Sequence, residues 1–332
     1  MLASEFEYDL PEERIAQVPV EPRHDARLLD TRTFTDRHFR DLPDLLEAGD
    51  LVVVNRTRVQ PARLLGHKAD TGGRVEALLL RRLSDGTWES MMRPARRLRA
   101  GSVLDFAGTP AKVEKIADGL AVIRVDAEAA MARAGEVPLP PYIRRKLTDP
   151  ERYQTVFGRE QGSAASPTAA LHFTPGVLAA LTARGVDVAE VILHIGLDTF
   201  RPISAELIED HLIHTEEFQV PDETARAVRA CRKRRGRVIA IGTTVVRTIE
   251  TVADDSGLIT AGGGTTSLFI TPGYRFRVVD GLVTNFHLPR TTLLVLLGAF
   301  MGESWRQTYE LALERDYRFA SFGDAMYAER SA

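Results

Sequence analysis

Between about Gly66 and Arg145 the chain consists of short apolar segments separated by glycine-containing turns. The turns are marked by Gly72–Gly73, Asp85–Gly86, Gly108 and Asp118–Gly119. Short β-rich segments at such spacing are typical of a small antiparallel barrel or sandwich. This spacing constrains the possible folds more than any other feature of the sequence. The predicted strands are Val75 to Leu80, Trp88 to Met92, Ser102 to Phe106, Lys112 to Ile116 and Leu120 to Val125.

The rest of the chain predicts a different architecture, because strand and helix patterns alternate. Leu51 to Val54 and Val188 to Leu193 are apolar runs typical of buried strands, and Val238 to Glu250 predicts a strand, a Gly-Thr-Thr turn and a helix. Asp222 to Arg235 predicts a helix that ends at Gly236. This alternation favours a large mixed α/β domain with a partly parallel sheet, which could close into a partial barrel.

Length and composition agree with two globular domains, since the chain has 332 residues, of which 44% are hydrophobic and 27% charged. No apolar run is long enough to cross a bilayer and the start carries no basic and apolar leader, so we expect a cytoplasmic protein. Cys231 is the only cysteine, which excludes an internal disulfide and a thiolate metal cluster. The net charge of −3 gives no overall attraction for nucleic acid, so an RNA partner would require local basic clusters.

The stretch from Tyr153 to Thr174 is rich in residues that carry almost no side chain, among them Gly158, Gly162 and Ser163. Such a backbone can approach a ligand closely and direct its N–H groups towards it. Thr174 and Pro175 then form an N-cap and a first helical residue, and a helix is predicted for Val177 to Ala183. We therefore expect a ligand-binding loop immediately before a helix.

The same stretch resembles a family signature. Its sequence Gly162-Ser-x-Ala-x-Pro-Thr-Ala-x-Leu-His-Phe-Thr174 is similar to one found in the S-adenosylmethionine:tRNA ribosyltransferase-isomerases of queuosine biosynthesis. Further matches run from Phe6-Glu-Tyr-Asp-Leu-Pro11 and Ile15-Ala-Gln-Val-Pro19 to Tyr317–Met326, so the resemblance covers essentially the whole chain.

The resemblance implies both an architecture and a reaction. Residues 1–65 and 150–332 would form the α/β catalytic domain, and residues 66–149 an inserted β-barrel domain. The family transfers the ribosyl carbons of S-adenosylmethionine to the 7-aminomethyl group of a 7-deazaguanine in the tRNA anticodon, and releases adenine and methionine. S-adenosylmethionine would be consumed as a substrate, with no metal or other cofactor, and we expect a monomer.

This reaction requires a base, an acid for the departing adenine and donors for the methionine carboxylate. Histidines and carboxylates titrate in a suitable range, although the sequence does not distribute the roles among them. The candidate catalytic residues are His172, His194, His214, Glu216, His287 and Asp324.

The substrate-binding candidates cluster in the segments that match the family. Gly242-Thr-Thr-x-x-Arg247 places free N–H groups and two hydroxyls at a predicted helix start, where a carboxylate or a ribose hydroxyl can bind. An N-cap role alone would also explain Thr243. The chain has Asp198 where the family has glycine, which is a departure inside the predicted site. The candidates are Ser163, Pro167, Thr168, Thr199, Thr243, Thr244, Arg247 and Asn285.

Two alternatives from other functional classes remain open at this point. His211, His214 and Glu216 could hold a divalent metal in a hydrolase, although the His-Glu-x-x-His pattern of hydrolytic zinc sites is absent. The protein could also be a catalytically inert tRNA-binding module.

Two clusters of basic residues are candidates for contacts with tRNA. The first contains Arg93, Arg96, Arg97 and Arg99, and the second contains Arg232, Lys233, Arg234 and Arg235. The helix dipole already explains part of the second cluster, which lies at a predicted helix end. We therefore predict that the first cluster binds tRNA phosphates.

Overall fold

The computed structural model describes residues 1–117, 120–196, 202–213 and 215–331. The chain forms two compact units, one of Met1–Arg58 with Pro140–Ala332 and the other of Val59–Leu139. The predicted turn at Asp118–Gly119 and the candidate residues Asp198, Thr199 and His214 lie outside the described residues. In the described parts of the chain, none of the helices is long and apolar enough to cross a membrane.

The larger unit is built on a nine-stranded sheet. Its strands are β1 (Arg27–Asp30), β2 (Thr35–His38), β3 (Leu51–Asn55), β13 (Asp187–Leu193), β14 (Glu216–Val220), β15 (Val238–Ile241), β16 (Gly262–Thr266), β17 (Gly281–Asn285) and β18 (Ala325–Glu329). Their order across the sheet is β16-β14-β13-β3-β15-β17-β18-β1-β2. Two short strands lie outside this sheet, β4 (Thr57–Val59) and β12 (Glu160–Ser163).

The centre of the sheet is parallel, because β13, β3, β15 and β17 each run parallel to the next. Every residue of β3, β15 and β17 is buried, which explains why their sequences are apolar runs without alternation. Antiparallel pairs flank the centre, at β13–β14, β14–β16, β17–β18 and β1–β2. The predicted mixed α/β domain with a partly parallel sheet is confirmed.

In the described part of the larger unit there are five α-helices: α2 (Pro175–Ala183), α3 (Asp222–Lys233), α4 (Thr243–Thr251), α5 (Thr292–Met301) and α6 (Ser304–Glu314). The predicted N-cap of α2 is present, since Thr174 Oγ1 accepts a hydrogen bond from the N–H of Val177. The predicted end of α3 at Gly236 is wrong, because the C-cap is Arg234 and Arg235 takes the left-handed conformation with a φ of 61°. Gly236 is required for packing instead, as a β-carbon there would lie 2.0 Å from the carbonyl oxygen of Gly49.

The smaller unit is a closed antiparallel barrel of six strands. These strands are β5 (Arg63–Lys68), β6 (Arg74–Arg82), β7 (Trp88–Arg93), β8 (Val103–Phe106), β9 (Thr109–Ala117) and β10 (Leu120–Val125). Their order is β5-β6-β7-β10-β9-β8, with β8 pairing back to β5. The short strand β11 (Gly135–Glu136) adds to β5, and α1 (Ala127–Ala134) packs on the barrel. Closure depends on Gly66, where a β-carbon would lie 2.2 Å from the carbonyl oxygen of Asp105.

The parallel centre of the large sheet determines where a ligand site can form. Parallel strands end at the same edge, and ligands of open α/β sheets bind beyond their carboxyl ends. In this protein β13, β15 and β17 lead at that edge into Ile195, Gly242 and Phe286 respectively.

Candidate active site

A cleft that is open to solvent lies beyond the carboxyl ends of these strands. It is lined by the segment Ser166–Ala169, by the start of α4 and by the turn that follows β17. Six residues selected from the sequence contribute to its wall: Pro167, Thr168, Thr243, Thr244, Asn285 and His287.

The wall formed by β15 and α4 contains groups that are ready to bind a polar ligand. Gly242 joins the two elements with a φ of 91°, which explains why glycine occupies this position. The first amides of α4 have no acceptor within the helix, as at any helix start. Ser166 Oγ and Thr244 Oγ1 are buried, and neither has a hydrogen-bond partner among the described residues. These two hydroxyls are therefore available to bind a polar ligand.

Asn285 connects the loop of small residues to the end of β17. Its Oδ1 accepts a hydrogen bond of 2.8 Å from the hydroxyl of Thr168. Its Nδ2 lies 3.4 Å from Nε2 of His172 and 3.4 Å from the carbonyl oxygen of Asp324. His172 therefore lies behind the cleft wall, in contact with a residue that lines the cleft.

Burial lowers the pKa of His172 to about 4. The positive charges of Arg318, Arg152 and Arg23 lower this pKa further, while the carboxylate of Asp324 opposes the effect. The imidazole of His172 is consequently neutral near pH 7.

His287 lines the cleft directly and is held on several sides. Its Nε2 lies 3.0 Å from Thr284 Oγ1, its backbone N–H donates to the hydroxyl of Tyr309 at 2.8 Å, and its carbonyl accepts from the hydroxyl of Tyr8. Burial lowers the pKa of His287 to about 3, so this imidazole is also neutral near pH 7.

Among the described residues that line the cleft, only Tyr142 and His287 have ionisable side chains. Burial raises the pKa of Tyr142, which keeps this phenol protonated. His287 is therefore the one described cleft residue whose ionisable side chain is unprotonated near neutral pH.

Glu216 and Arg247 form a buried ion pair next to the cleft, between Nη1 of Arg247 and Oε2 of Glu216. The other oxygen of Glu216 accepts the N–H of Gly196 at 2.9 Å, one residue after Ile195, which lines the cleft. Arg247 also donates from Nε to the carbonyl of Leu268 at 3.0 Å. Its Nη2 is buried with no partner in the described parts of the chain.

This ion pair disfavours the metal-dependent hydrolase, because both oxygens of Glu216 already accept hydrogen bonds. His211 packs the edge of its ring against Phe269, with the ring centres 6.0 Å apart. No group of three potential metal-ligating side chains occurs among the residues that the structure describes, a set that does not include His214.

Two other candidates, Ser163 and Asp324, bind the surrounding backbone, and a third, His194, packs against it. Ser163 Oγ donates to the carbonyl of Ala165 and accepts the N–H of Ile195. The Asp324 carboxylate pairs with Arg318 at 3.0 Å and also accepts backbone N–H groups. The ring of His194 lies against Gly162, where a β-carbon would be 3.0 Å from it.

The model of one protein family, described as "Queuosine biosynthesis protein", matches residues 3–328. The chain belongs to the queuosine biosynthesis protein family. The S-adenosylmethionine:tRNA ribosyltransferase-isomerase of Moorella thermoacetica is 49% identical over 339 residues, which cover 98% of this chain and 99% of the relative. The protein of the same name from Heliobacterium modesticaldum is 50% identical over 336 residues, with 97% and 98% covered.

Among solved structures, the chain is similar to a crystal structure of S-adenosylmethionine tRNA ribosyltransferase from Thermotoga maritima. The TM-score is 0.56 and the identity 37%, and the match covers 98% of this chain and 99% of the other. The queuosine family that the sequence motifs indicated is therefore confirmed.

Several cleft residues of this queuosine family member were not selected from the sequence: Tyr142, Ser166, Ile195, Thr284 and Ser321. Ser166 and Ser321 lie inside segments that match the family, so their hydroxyls could have been selected. Tyr142 follows the proline-rich return from the barrel and carries no local signal. It reaches the cleft by a contact of 2.7 Å between its hydroxyl and Ser321 Oγ.

The barrel arginines Arg93, Arg96, Arg97 and Arg99 are all exposed, and none forms an ion pair with a described residue. In the second basic cluster, by contrast, Arg232 pairs with Asp280 and Arg234 with Asp187. Two of the four basic side chains in the second cluster are therefore already engaged in ion pairs.

Proposed function

We propose that this protein transfers and isomerises the ribosyl moiety of S-adenosylmethionine. The acceptor is the 7-aminomethyl group of the 7-deazaguanine at the wobble position of a tRNA, and the products are epoxyqueuosine-tRNA, adenine and methionine. The observation that carries the proposal is the cleft, because three separate segments that resemble the family meet there: Ser166–Ala169, Gly242–Thr244 and Thr284–Leu288.

S-adenosylmethionine occupies this cleft. The methionine carboxylate binds the free amides at the start of α4, where the helix dipole favours an anion. The unpartnered hydroxyls of Ser166 and Thr244 bind other polar groups of the substrate. Arg247 lies one turn further along α4, and the unpartnered Nη2 of its side chain supports a role in binding the same substrate.

The chemistry begins at the ribose carbon next to the sulfonium, because the positive sulfur acidifies its protons. A base removes one proton, adenine leaves, the amine of the tRNA attacks, and methionine departs as the epoxide closes. His287 is our candidate for proton transfer, since it is neutral and lines the cleft. His172 acts through Asn285, and Asp324 and Glu216 are positioning residues because arginines already bind their carboxylates.

Under this proposal the two units have different functions. The larger unit carries the chemistry, and the exposed arginines of the barrel bind the tRNA backbone. The protein acts in the cytoplasm, where its tRNA substrate is found, as a monomer and with no cofactor other than the consumed substrate.

The test is to incubate the protein with S-adenosylmethionine and a tRNA that carries 7-aminomethyl-7-deazaguanine, and to determine the masses of the digested nucleosides. We expect the ribosylated nucleoside together with free adenine and methionine, and the same yield in the presence of a chelator. A tRNA with guanine at the wobble position is the matched control and yields no product. Formation of S-adenosylhomocysteine would instead show methyl transfer and refute the proposal.

A further inference from the structure

A second, narrow pocket that is partly open to solvent adjoins the cleft in the larger unit. Its wall includes three arginines that are far apart in sequence, Arg23, Arg152 and Arg318. Ser321 lines both this pocket and the cleft, and His172 forms part of the wall. The two hollows are therefore neighbours that share a wall.

The pocket has the electrostatic character of an anion site. None of the described residues that line it is a carboxylate. Asp324 pairs with Arg318 and Glu21 pairs with Arg152, but neither acid belongs to the wall. Arg23 forms no ion pair among the described residues. It donates to the backbone carbonyls of Gln154, Glu151 and Leu171.

The charges of the three arginines also shift the pKa values of side chains in the pocket wall. Each of them lowers the pKa of His172, after the larger effect of burial, and only Asp324 opposes them. The pKa of Arg23 is lowered by burial and by Arg152, while the acids Glu21, Asp149 and Glu151 oppose this effect. The three arginines thus bring positive charge to this wall, and the acids that offset part of it lie outside the wall.

We infer that this pocket binds one phosphodiester group of the RNA substrate, next to the nucleoside that enters the cleft. Arginine is suited to this task because its planar fork donates two parallel hydrogen bonds to phosphate oxygens. The side chains of Arg152 and Arg318 are 13% and 30% exposed, so the site is sheltered but open to solvent. The inference rests on the proposed function, since it assigns the occupant to the tRNA.

The carboxylate of S-adenosylmethionine is another anion of the proposed reaction that could occupy an arginine-lined pocket. We assign that group to the start of α4, where amides and unpartnered hydroxyls line the cleft. A substitution in the pocket distinguishes the two occupants. It weakens binding of tRNA if a phosphodiester binds there, and binding of S-adenosylmethionine if the carboxylate does.

The first experiment compares Arg152→Met with Arg152→Lys. The first substitution removes the positive charge, and the second keeps the charge but removes the planar guanidinium group. Affinity for the substrate tRNA is measured at several salt concentrations in the absence of S-adenosylmethionine. We expect Arg152→Met to weaken tRNA binding about ten-fold and to reduce the slope of log affinity against log salt by roughly 0.7 to 0.9. Arg152→Lys retains the slope and binds tRNA with an intermediate affinity.

The matched control is Arg306→Gln, which removes one arginine of the same unit that pairs with Glu303 and lines neither pocket. It should leave the affinity and the slope unchanged. Unchanged tRNA binding in Arg152→Met would overturn the inference. So would weaker binding of S-adenosylmethionine with unchanged tRNA binding, because that result would place the methionine carboxylate in the pocket.

The second experiment uses the unaltered protein, so it does not depend on the folding of a variant. The imidazole of His172 is titrated by NMR with and without an anticodon stem-loop RNA. A phosphate among the three arginines should raise the pKa of His172 by offsetting their charges, and inorganic phosphate should do so only at high concentration. An unchanged pKa with saturating RNA would refute the inference. Both experiments measure binding and need no turnover. A failure of this inference can therefore be told apart from a failure of the proposed reaction, which is tested by product formation.

Discussion

The hydroxyl of Tyr309 on α6 accepts the backbone N–H of His287 at a distance of 2.8 Å. Both residues are buried, and this contact fixes the turn that carries the imidazole into the cleft. Tyr8, near the start of the chain, donates to the carbonyl of the same residue. Two tyrosines from opposite ends of the sequence therefore position His287.

Replacing Tyr309 with phenylalanine should lower kcat by about ten-fold or more with a smaller effect on KM, because a displaced catalytic group lowers the rate strongly. The buried N–H of His287 would be left without its acceptor, which destabilises the fold by about 1–3 kcal/mol. Steady-state kinetics and urea unfolding measure the two effects. Tyr274→Phe is the control, since that hydroxyl contacts Glu250 at 3.4 Å outside the cleft. Equal kinetics for both variants would contradict a positioning role for Tyr309.

Thr244→Val should weaken binding of S-adenosylmethionine and leave the protein slightly more stable. Thr244 Oγ1 is buried without a partner among the described residues, so removal of this hydroxyl relieves an unsatisfied group worth about 1 kcal/mol. Removal of one hydrogen bond to the substrate raises its KM by roughly three- to ten-fold. Calorimetry and a melting curve test both statements.

The matched control for this change is Thr248→Val, one turn further along α4. Its hydroxyl donates to the carbonyl of Thr244 at 2.9 Å, and it does not line the cleft. This variant should bind S-adenosylmethionine normally. The prediction for Thr244 fails if both variants change KM equally.

Acid should destabilise the protein below about pH 6.5, the ordinary pKa of histidine. The folded pKa values of His172 and His287 are about 4 and about 3, so the unfolded chain binds protons first as the pH falls. Stability is therefore complete above pH 6.5 and falls towards pH 4, at a rate on the order of 1 kcal/mol per pH unit for each histidine. Urea unfolding between pH 4.5 and 7.5 measures this slope. His172→Gln should show about half of it, and an unchanged slope would show that His172 titrates normally.

Neutralising the exposed barrel arginines Arg93, Arg96, Arg97 and Arg99 with glutamine should raise KM for tRNA and leave KM for S-adenosylmethionine nearly unchanged. For each tRNA phosphate that an arginine no longer neutralises, the slope of log affinity against log salt should flatten by a little under one. The control removes Lys233 and Arg235, which are also exposed but lie at the end of α3. A salt dependence that flattens only in the control variant would move the tRNA-binding surface to α3.

Local sequence was sufficient wherever a structure depends on neighbouring residues. The turns and apolar segments of the barrel, the N-cap at Thr174 and the Gly-Thr-Thr start of α4 were all predictable, because turn conformation and helix capping involve only a few consecutive residues. The family resemblance similarly identified the segments that line the cleft.

Tertiary structure alone decided what depends on residues distant in the chain. The closing pair β5–β8 requires the close approach of Gly66 to Asp105, and the sequence contains no signal for that distance. Arg237 illustrates the same point, since it lies two residues after the second basic cluster in sequence but pairs with Asp50 and Glu329 in the folded chain. The convergence of Arg23, Arg152 and Arg318 on one pocket likewise follows from packing, because only the folded chain brings residues so far apart in sequence within reach of one anion.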